Sequence, residues 1–152
     1  MFSPHLFIER LLKMTHSLAL KDGDLHVSSS RVQLVSGLDK LKQDIFTWIT
    51  EAYRVDRFNP EYGSTVSSYV GQQNTVDNAF AIRIEINRVL TNMQRYQRMI
   101  YSANRNAFSP SELLDRVLDV RTRPSLDALH VEILFTTAAH PESTYSTEVV
   151  ID

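Results

Sequence analysis

The sequence of 152 residues has no cysteine, only four glycines and only five prolines. The absence of cysteine excludes disulfide bonds, thiol catalysis and thiolate metal ligands, and it is typical of proteins that fold in a reducing cytoplasm. With so little glycine, the sequence contains no glycine-rich phosphate loop, nucleophile elbow or dinucleotide fingerprint. We therefore expect no cofactor. Glu9, Arg10 and Lys13 interrupt the apolar N-terminal stretch, so we expect no signal peptide and no membrane span.

Neither sign of charge dominates, because 16 basic and 18 acidic residues give a net charge of -2. A hydrophobic content of 43% and this length are typical of one soluble globular domain, which buries about two thirds of its unfolded surface. We expect no nucleic-acid or membrane partner. The predicted domain spans residues 17–152. Residues 1–16 form an extension with near-helical apolar spacing, for which a docking helix and a frayed terminus are both open interpretations.

The first half of the domain is predicted to be a β-hairpin followed by a helix. Asp22-Gly23 suits a two-residue hairpin turn that places Lys21 opposite Asp24, Leu20 opposite Leu25 and Leu18 opposite Val27. Ser36 is the predicted N-cap of a helix over residues 37–53, with Lys40 on its wet side. The predicted apolar stripe of this helix is Leu38, Leu41, Ile45, Trp48, Ile49 and Ala52.

The second half is predicted to contain a longer helix, a short third helix and a closing run of strands. Asn74 or Thr75 caps a helix over residues 76–102. Ser109, Pro110 and Glu112 have the pattern of a capping box, which predicts a short helix that ends near Arg116. The period then changes to two, and this predicts a C-terminal antiparallel β meander. The expected apolar stripe of the long helix is Ile82, Ile86, Val89, Met93, Tyr96 and Ile100, and the expected strands are residues 117–122, 128–137 and 144–152. The predicted fold class is α+β.

The sequence offers little material for catalysis. The five histidines show no paired spacing, so we expect no metal site. Glu51, Asp56 and Glu61 cluster in sequence and could be compared with the carboxylate pair of a glycoside hydrolase. A general acid needs an apolar pocket, however, and these residues fall at a helix end and in a polar corner. We therefore expect a protein that is not an enzyme.

Residues 58–65, FNPEYGST, predict an ordered corner after the first helix. Proline fixes its own φ, and glycine admits positive φ. We expect Phe58 and Tyr62 to pack on the helices, and Gly63 to occupy a position where a Cβ would be strained or would clash.

The order of DGDL, LVSGLDKLKQDIFTWI, NPEYGS, a long helix and closing strands resembles the baseplate wedge family of contractile-tailed phages, tailocins and type VI secretion baseplates. This family is known as the sheath initiator and is sometimes labelled lysozyme-like. The resemblance covers residues 18–151, and its most specific pieces are Ser36-Gly37, Gln43 and residues 60–64. Residues 54–57 replace a Gly-Glu-Arg-type segment of the family and lack its glycine and glutamate.

The resemblance implies a structural component of the virion tail baseplate, present in several copies of a symmetric assembly. Its partners would be other wedge proteins, the sheath, and the tube or hub. The C-terminal strand would contact the sheath through Tyr145, Thr147, Glu148, Val149 and Ile151, and the corner would form a wedge contact through Phe58, Asn59, Pro60, Glu61, Tyr62 and Gly63. The strand is β-prone without lysine or proline, so it fits an edge that accepts another chain, or simply the last strand of its own sheet. A peptidoglycan-hydrolysing tail lysozyme and a small soluble adaptor are the alternative functions.

Overall fold

The computed structural model describes residues 15–22, 24–73, 75–125 and 127–152. Its architecture is α+β, as predicted. The helix predicted within residues 1–16 falls on residues 1–14, which lie outside the described ranges, as do Gly23 and Asn74. The main elements are helices α1 (Gly37–Thr50) and α2 (Val76–Ala103) and strands β7 (Leu114–Pro124), β8 (Leu129–Thr137) and β9 (Tyr145–Ile151).

Six short strands precede α1 and pair as three antiparallel ribbons. They are β1 (His16–Leu18), β2 (Leu20–Lys21), β3 (Asp24–Leu25), β4 (Val27–Ser28), β5 (Arg31–Val32) and β6 (Leu34–Ser36). β1 pairs with β6, β2 with β3, and β4 with β5. The predicted pairing of Leu20 with Leu25 is confirmed, as is that of Lys21 with Asp24.

The predicted pairing of Leu18 with Val27 is wrong, because the chain diverges at a ring of backbone hydrogen bonds. Ala19 N–H donates to Gln33 O (2.8 Å), Gln33 N–H to His26 O (3.0 Å), and His26 N–H to Ala19 O (2.7 Å). Beyond this ring Leu18 lies opposite Leu34, and Val27 lies opposite Val32. We call residues 16–36 the three-ribbon segment.

Helix α1 is shorter than predicted and buries more than its apolar stripe. Glu51 has an extended backbone, so Ala52, which was expected on the stripe, lies beyond the helix and is exposed. Lys40, expected on the wet side, is only 7% exposed. Its ammonium binds Asp44 Oδ2 at 2.8 Å and lies 5.2 Å from the Phe108 ring centroid, so both its charge and its stem have partners.

The N-terminus of α1 is capped from outside the helix. Ser36 occupies the N-cap position without a side-chain cap hydrogen bond, so the predicted cap by its hydroxyl is wrong. The backbone N–H of Gly37 donates instead to Glu112 Oε1, at 3.3 Å. Glu112 Oε2 accepts from the Thr15 hydroxyl (2.5 Å) and from the Ser109 N–H (2.7 Å). One fully buried carboxyl therefore joins three segments that are distant in sequence.

Helix α2 matches its prediction closely. The Thr75 hydroxyl accepts a hydrogen bond from the Asn78 N–H at 3.1 Å, so Thr75 is the cap. The middle of the predicted stripe is buried, whereas Tyr96 is 37% exposed and Ile100 is half-buried. The last turns of the helix therefore lie at the margin of the core.

The predicted third helix is a single 3-10 turn over Pro110–Glu112, which does have the predicted capping box. It does not continue to Arg116, because Leu114 already begins β7 and is buried. The side chain of Gln97 on α2 fixes this change of direction: it donates to Glu112 O (2.9 Å) and accepts from Leu114 N–H (3.0 Å). A tertiary contact thus ends the helical turn.

The C-terminal meander is confirmed, with the strand order β7-β8-β9. Alternate residues of β8 face the helices, so Val131, Ile133 and Phe135 are fully buried. The same core contains the stripes of both helices and the inward residues of β9. β9 is thereby held to the domain through one face of the sheet, at the end of the strand order.

We expect Glu112→Gln to destabilise the protein by about 3 kcal/mol, because the amide replaces an acceptor and leaves buried donors unsatisfied. The measurement is urea unfolding followed by circular dichroism. Glu142→Gln is the matched control, since the Glu142 side chain is 72% exposed. Equal unfolding midpoints for the two variants would contradict the role assigned to Glu112.

Candidate functional site

The C-terminal strand β9 presents two different faces. Val149 and Ile151 are buried in the core, and Tyr145 and Thr147 are half-buried on the same side. The Tyr145 ring lies 6.1 Å from the Phe135 ring, measured between centroids. Of the predicted contact residues, only Glu148 therefore projects to the exposed side, where it is joined by two residues that the prediction did not include, Ser146 and Val150.

One edge of β9 is unpaired within the described part of the chain. β9 hydrogen-bonds to β8 on one side, and no other strand of the described ranges pairs with it. In an antiparallel edge strand, alternate residues point their N–H and C=O groups away from the sheet. A groove of about 620 Å3 lies beside this edge, between Val150 and Ile151 on β9 and Phe46 and Thr50 on α1. The edge can therefore receive an extended chain.

The corner after α1 is a closed loop. Tyr53 N–H donates to Ser64 O, Arg54 N–H donates to Tyr62 O, and Ser64 N–H donates to Glu51 O, each at about 3.0 Å or less. Gly63 has a φ of +86°, and a Cβ built on it would lie 2.3 Å from Ala52 O. The expectation that only glycine fits there is confirmed.

The two aromatic residues of the corner behave differently. Tyr62 packs edge-on against Trp48 of α1, with 4.7 Å between ring centroids, and burial raises the pKa of its phenol to about 12. Phe58 was also expected to pack on the helices, but it is 99% exposed. The turn in which Tyr62 N–H donates to Asn59 O reverses the chain between the rings, so only Tyr62 faces the core.

Arg88 of α2 binds the corner, and this contact was not predicted from the sequence. Its guanidinium donates to Gly63 O (3.1 Å) and to both carboxyl oxygens of Glu85 (2.7 and 2.8 Å). Its Cζ also lies 4.6 Å from the Tyr53 ring centroid. Glu85 Oε1 in turn accepts the Thr65 N–H at 2.9 Å. The i, i+3 spacing of Glu85 and Arg88 was a visible signal for the pair, but not for its contact with the corner.

The electrostatics of this clasp follow from its contacts. The hydrogen bond from Arg88 lowers the pKa of the Glu85 carboxyl, and the same bond raises the pKa of Arg88. At the rim of the corner, Glu61 Oε2 accepts from the Asn92 amide at 3.2 Å. The corner is therefore attached to α2 at three points, through Glu85, Arg88 and Asn92.

Residues 54–57, between α1 and the corner, have an unusual backbone. Arg54 has a φ of 64°, in the left-handed region where glycine is favoured. Asp56 Oδ1 accepts the Phe58 N–H at 2.8 Å and orders the tip of the loop. The chain thus makes a sharp turn at Arg54 without a glycine.

The three carboxylates that could be compared with a hydrolase pair do not line an apolar pocket. Glu51 and Glu61 are exposed, and Asp56 is half-buried with its oxygen bonded to backbone. In the ranges that the structure describes, no group of three or more acidic, histidine or cysteine side chains could hold a metal ion. None of the described helices combines the length and hydropathy needed to span a membrane.

A scan against protein-family models and a search of curated proteins both find no match to this chain.

We expect Gly63→Ala to cost about 2 kcal/mol more stability than Gly71→Ala, because overpacking is added to the backbone strain. Gly71 is the matched control: its φ is +76°, but nothing lies within 4 Å of a Cβ placed on it. Thermal unfolding of the two variants separates the destabilisation caused by the steric clash from that caused by backbone strain. Equal melting temperatures would contradict the clash with Ala52.

We expect Glu85→Gln to lower the free energy of unfolding at neutral pH. The free energy of unfolding of the variant should also change less with pH in the acidic range than that of the wild type. The pKa of Glu85 lies below its ordinary value, so its contribution is present above pH 4.5 and is lost as pH falls through the folded-state pKa. The gap between wild type and variant should therefore narrow on acidification. Urea midpoints measured from neutral pH to about pH 3 test this, and a gap that widens would refute it.

Proposed function

We propose that the protein is a structural wedge component of a phage or phage-like tail baseplate, in which β9 templates the first ring of sheath subunits. The observation that carries the proposal is the unpaired edge of β9, which lies beside an open groove. Strand addition at such an edge supplies a row of main-chain hydrogen bonds without any catalytic residue. The resemblance of residues 18–151 to the sheath-initiator family gives the partner: an extended segment of the sheath protein.

The corner provides the second contact, with a neighbouring wedge protein. Phe58 is almost fully exposed at the tip of a loop whose backbone is closed by hydrogen bonds and clasped by Arg88. A rigid exposed aromatic side chain loses little conformational entropy on binding and suits the centre of an interface. This contact orients the wedge, while β9 remains free for the sheath.

Substitutions test the edge better than truncation does, because Val149 and Ile151 belong to the core and deleting residues 144–152 would remove them. Val150→Lys changes a 40% exposed side chain, and lysine discourages strand addition at an edge. We expect a normally folded protein on which sheath no longer polymerises, as seen by electron microscopy of particles. Leu118→Lys, a 49% exposed position on the opposite edge strand β7, is the matched control. Normal sheath on Val150→Lys particles would contradict the proposal.

Location is tested separately by quantitative mass spectrometry of purified tail particles. The proposal expects this chain at a low copy number beside a sheath protein. Its absence from complete particles would overturn the proposal. In that case a peptidoglycan-cleavage assay and co-purification from solution would examine the hydrolase and adaptor alternatives.

A further inference from the structure

The exposed face of the sheet carries a row of charges that is incomplete at β9. Reading across the strands, Arg121 of β7 lies opposite Glu132 of β8, and Glu132 lies opposite Glu148 of β9. Two like charges at directly opposite positions destabilise a strand pair. Glu132 is compensated from the β7 side, where guanidinium nitrogens of Arg121 and Arg123 lie 3.5 and 3.8 Å from its carboxylate.

Glu148 has no such compensation. In the described part of the chain no lysine or arginine lies within 4.0 Å of its carboxylate, and its one ion-pair contact is His130 Nδ1 at 3.2 Å. His130 carries a charge only when it is protonated, whereas a lysine or an arginine would be a permanent cation. The Glu148 side chain is 62% exposed and stands at the free edge. A cation on an added strand could therefore pair with Glu148, as the arginines of β7 pair with Glu132.

The other face of the added strand would meet a different surface. The groove beside β9 is lined by the apolar side chains of Phe46 on α1 and Ile151, and also by Asp22 and Asp152. It continues past Phe46 to Leu20, Val35 and Asp39, and none of the described residues that line either stretch is a lysine or an arginine. Because side chains alternate along a strand, one face of the incoming segment packs on Phe46 while the other stands beside Glu148.

We propose that the segment which adds to β9 carries a lysine or arginine opposite Glu148 and an apolar side chain against Phe46. The inference rests on the proposed function, since it specifies the chemistry of the strand that β9 receives. The occupant is thus an extended segment of the partner protein with alternating apolar and polar residues and a basic residue at its centre. The pair with Glu148 fixes its register along the edge.

The test uses three synthetic seven-residue peptides that alternate valine with threonine and differ only at the central outward position, which is lysine, glutamine or glutamate. Each is titrated into the isotope-labelled full chain, and binding is followed by the amide NMR signals. We expect the lysine peptide to bind about three- to tenfold more tightly than the glutamate peptide, with the largest shifts in residues 145–151. Binding of the lysine peptide should also weaken with salt.

A charge exchange isolates the proposed pair. Glu148→Lys should reverse the preference, so that the glutamate peptide now binds more tightly than the lysine peptide. Glu142→Lys has the same charge change at an exposed loop position and should leave the preference unchanged. Phe46→Ser should weaken the binding of all three peptides equally. Circular dichroism of this variant should show that it is folded.

Several outcomes would overturn the inference. Equal affinities for the three peptides would show that Glu148 does not select the bound segment. NMR chemical-shift changes that map away from β9 would show that the peptides do not bind in the groove. Absence of any binding would also overturn it, while mass spectrometry and sheath assembly on particles would still decide the baseplate proposal independently. A peptide preference together with absence from tail particles would retain the groove and discard the baseplate.

Discussion

The buried carboxyl of Glu112 is the constraint on which the rest of the architecture depends. It accepts hydrogen bonds from Thr15, Ser109 and Gly37, and so it connects the start of the three-ribbon segment, the turn before the sheet and the first turn of α1. The N–H groups of Gly37 and Ser109 would otherwise be buried without a partner, and a fully buried carboxyl without donors would itself be strongly unfavourable. The carboxyl and its donors therefore satisfy each other's hydrogen-bonding requirements. These hydrogen bonds fix where α1 begins relative to β7, and α1 in turn forms one wall of the groove beside β9.

Sequence periodicity predicted the parts of the fold that are locally determined. Both helices and the meander follow from patterns that repeat within one element, and the Asp22 turn sets the first hairpin pairs. Two of the misses arise from contacts between elements. Gln97 ends the turn at Glu112, and the ring at Ala19 separates Leu18 from Val27, its predicted partner. Neither contact can be read from spacing, because its partners are at least seven residues apart and belong to different elements.

The candidate site was predictable in outline but not in its chemistry. The β-propensity of residues 145–151 predicts the strand, and the expectation that a Cβ at position 63 would be strained or would clash is confirmed. The strand order and register were not accessible, and these place Glu148 at a free edge opposite another glutamate. The exposure of Phe58 was not predictable from the sequence either, because it depends on which side of the turn at Asn59 the ring lies.

The ring of hydrogen bonds at Ala19, His26 and Gln33 has a practical consequence for engineering. Each ribbon contains only two or three residue pairs, fewer than an isolated ribbon needs for stability, so the three ribbons support one another through the ring. An insertion within a strand would move its apolar side chains to the opposite side and break the ring. The tip of the third ribbon, Ser29-Ser30, lies outside the ring and lines neither stretch of the groove beside β9. An affinity tag or fluorophore placed there would mark the protein inside an assembled particle while leaving β9 and Phe58 unobstructed.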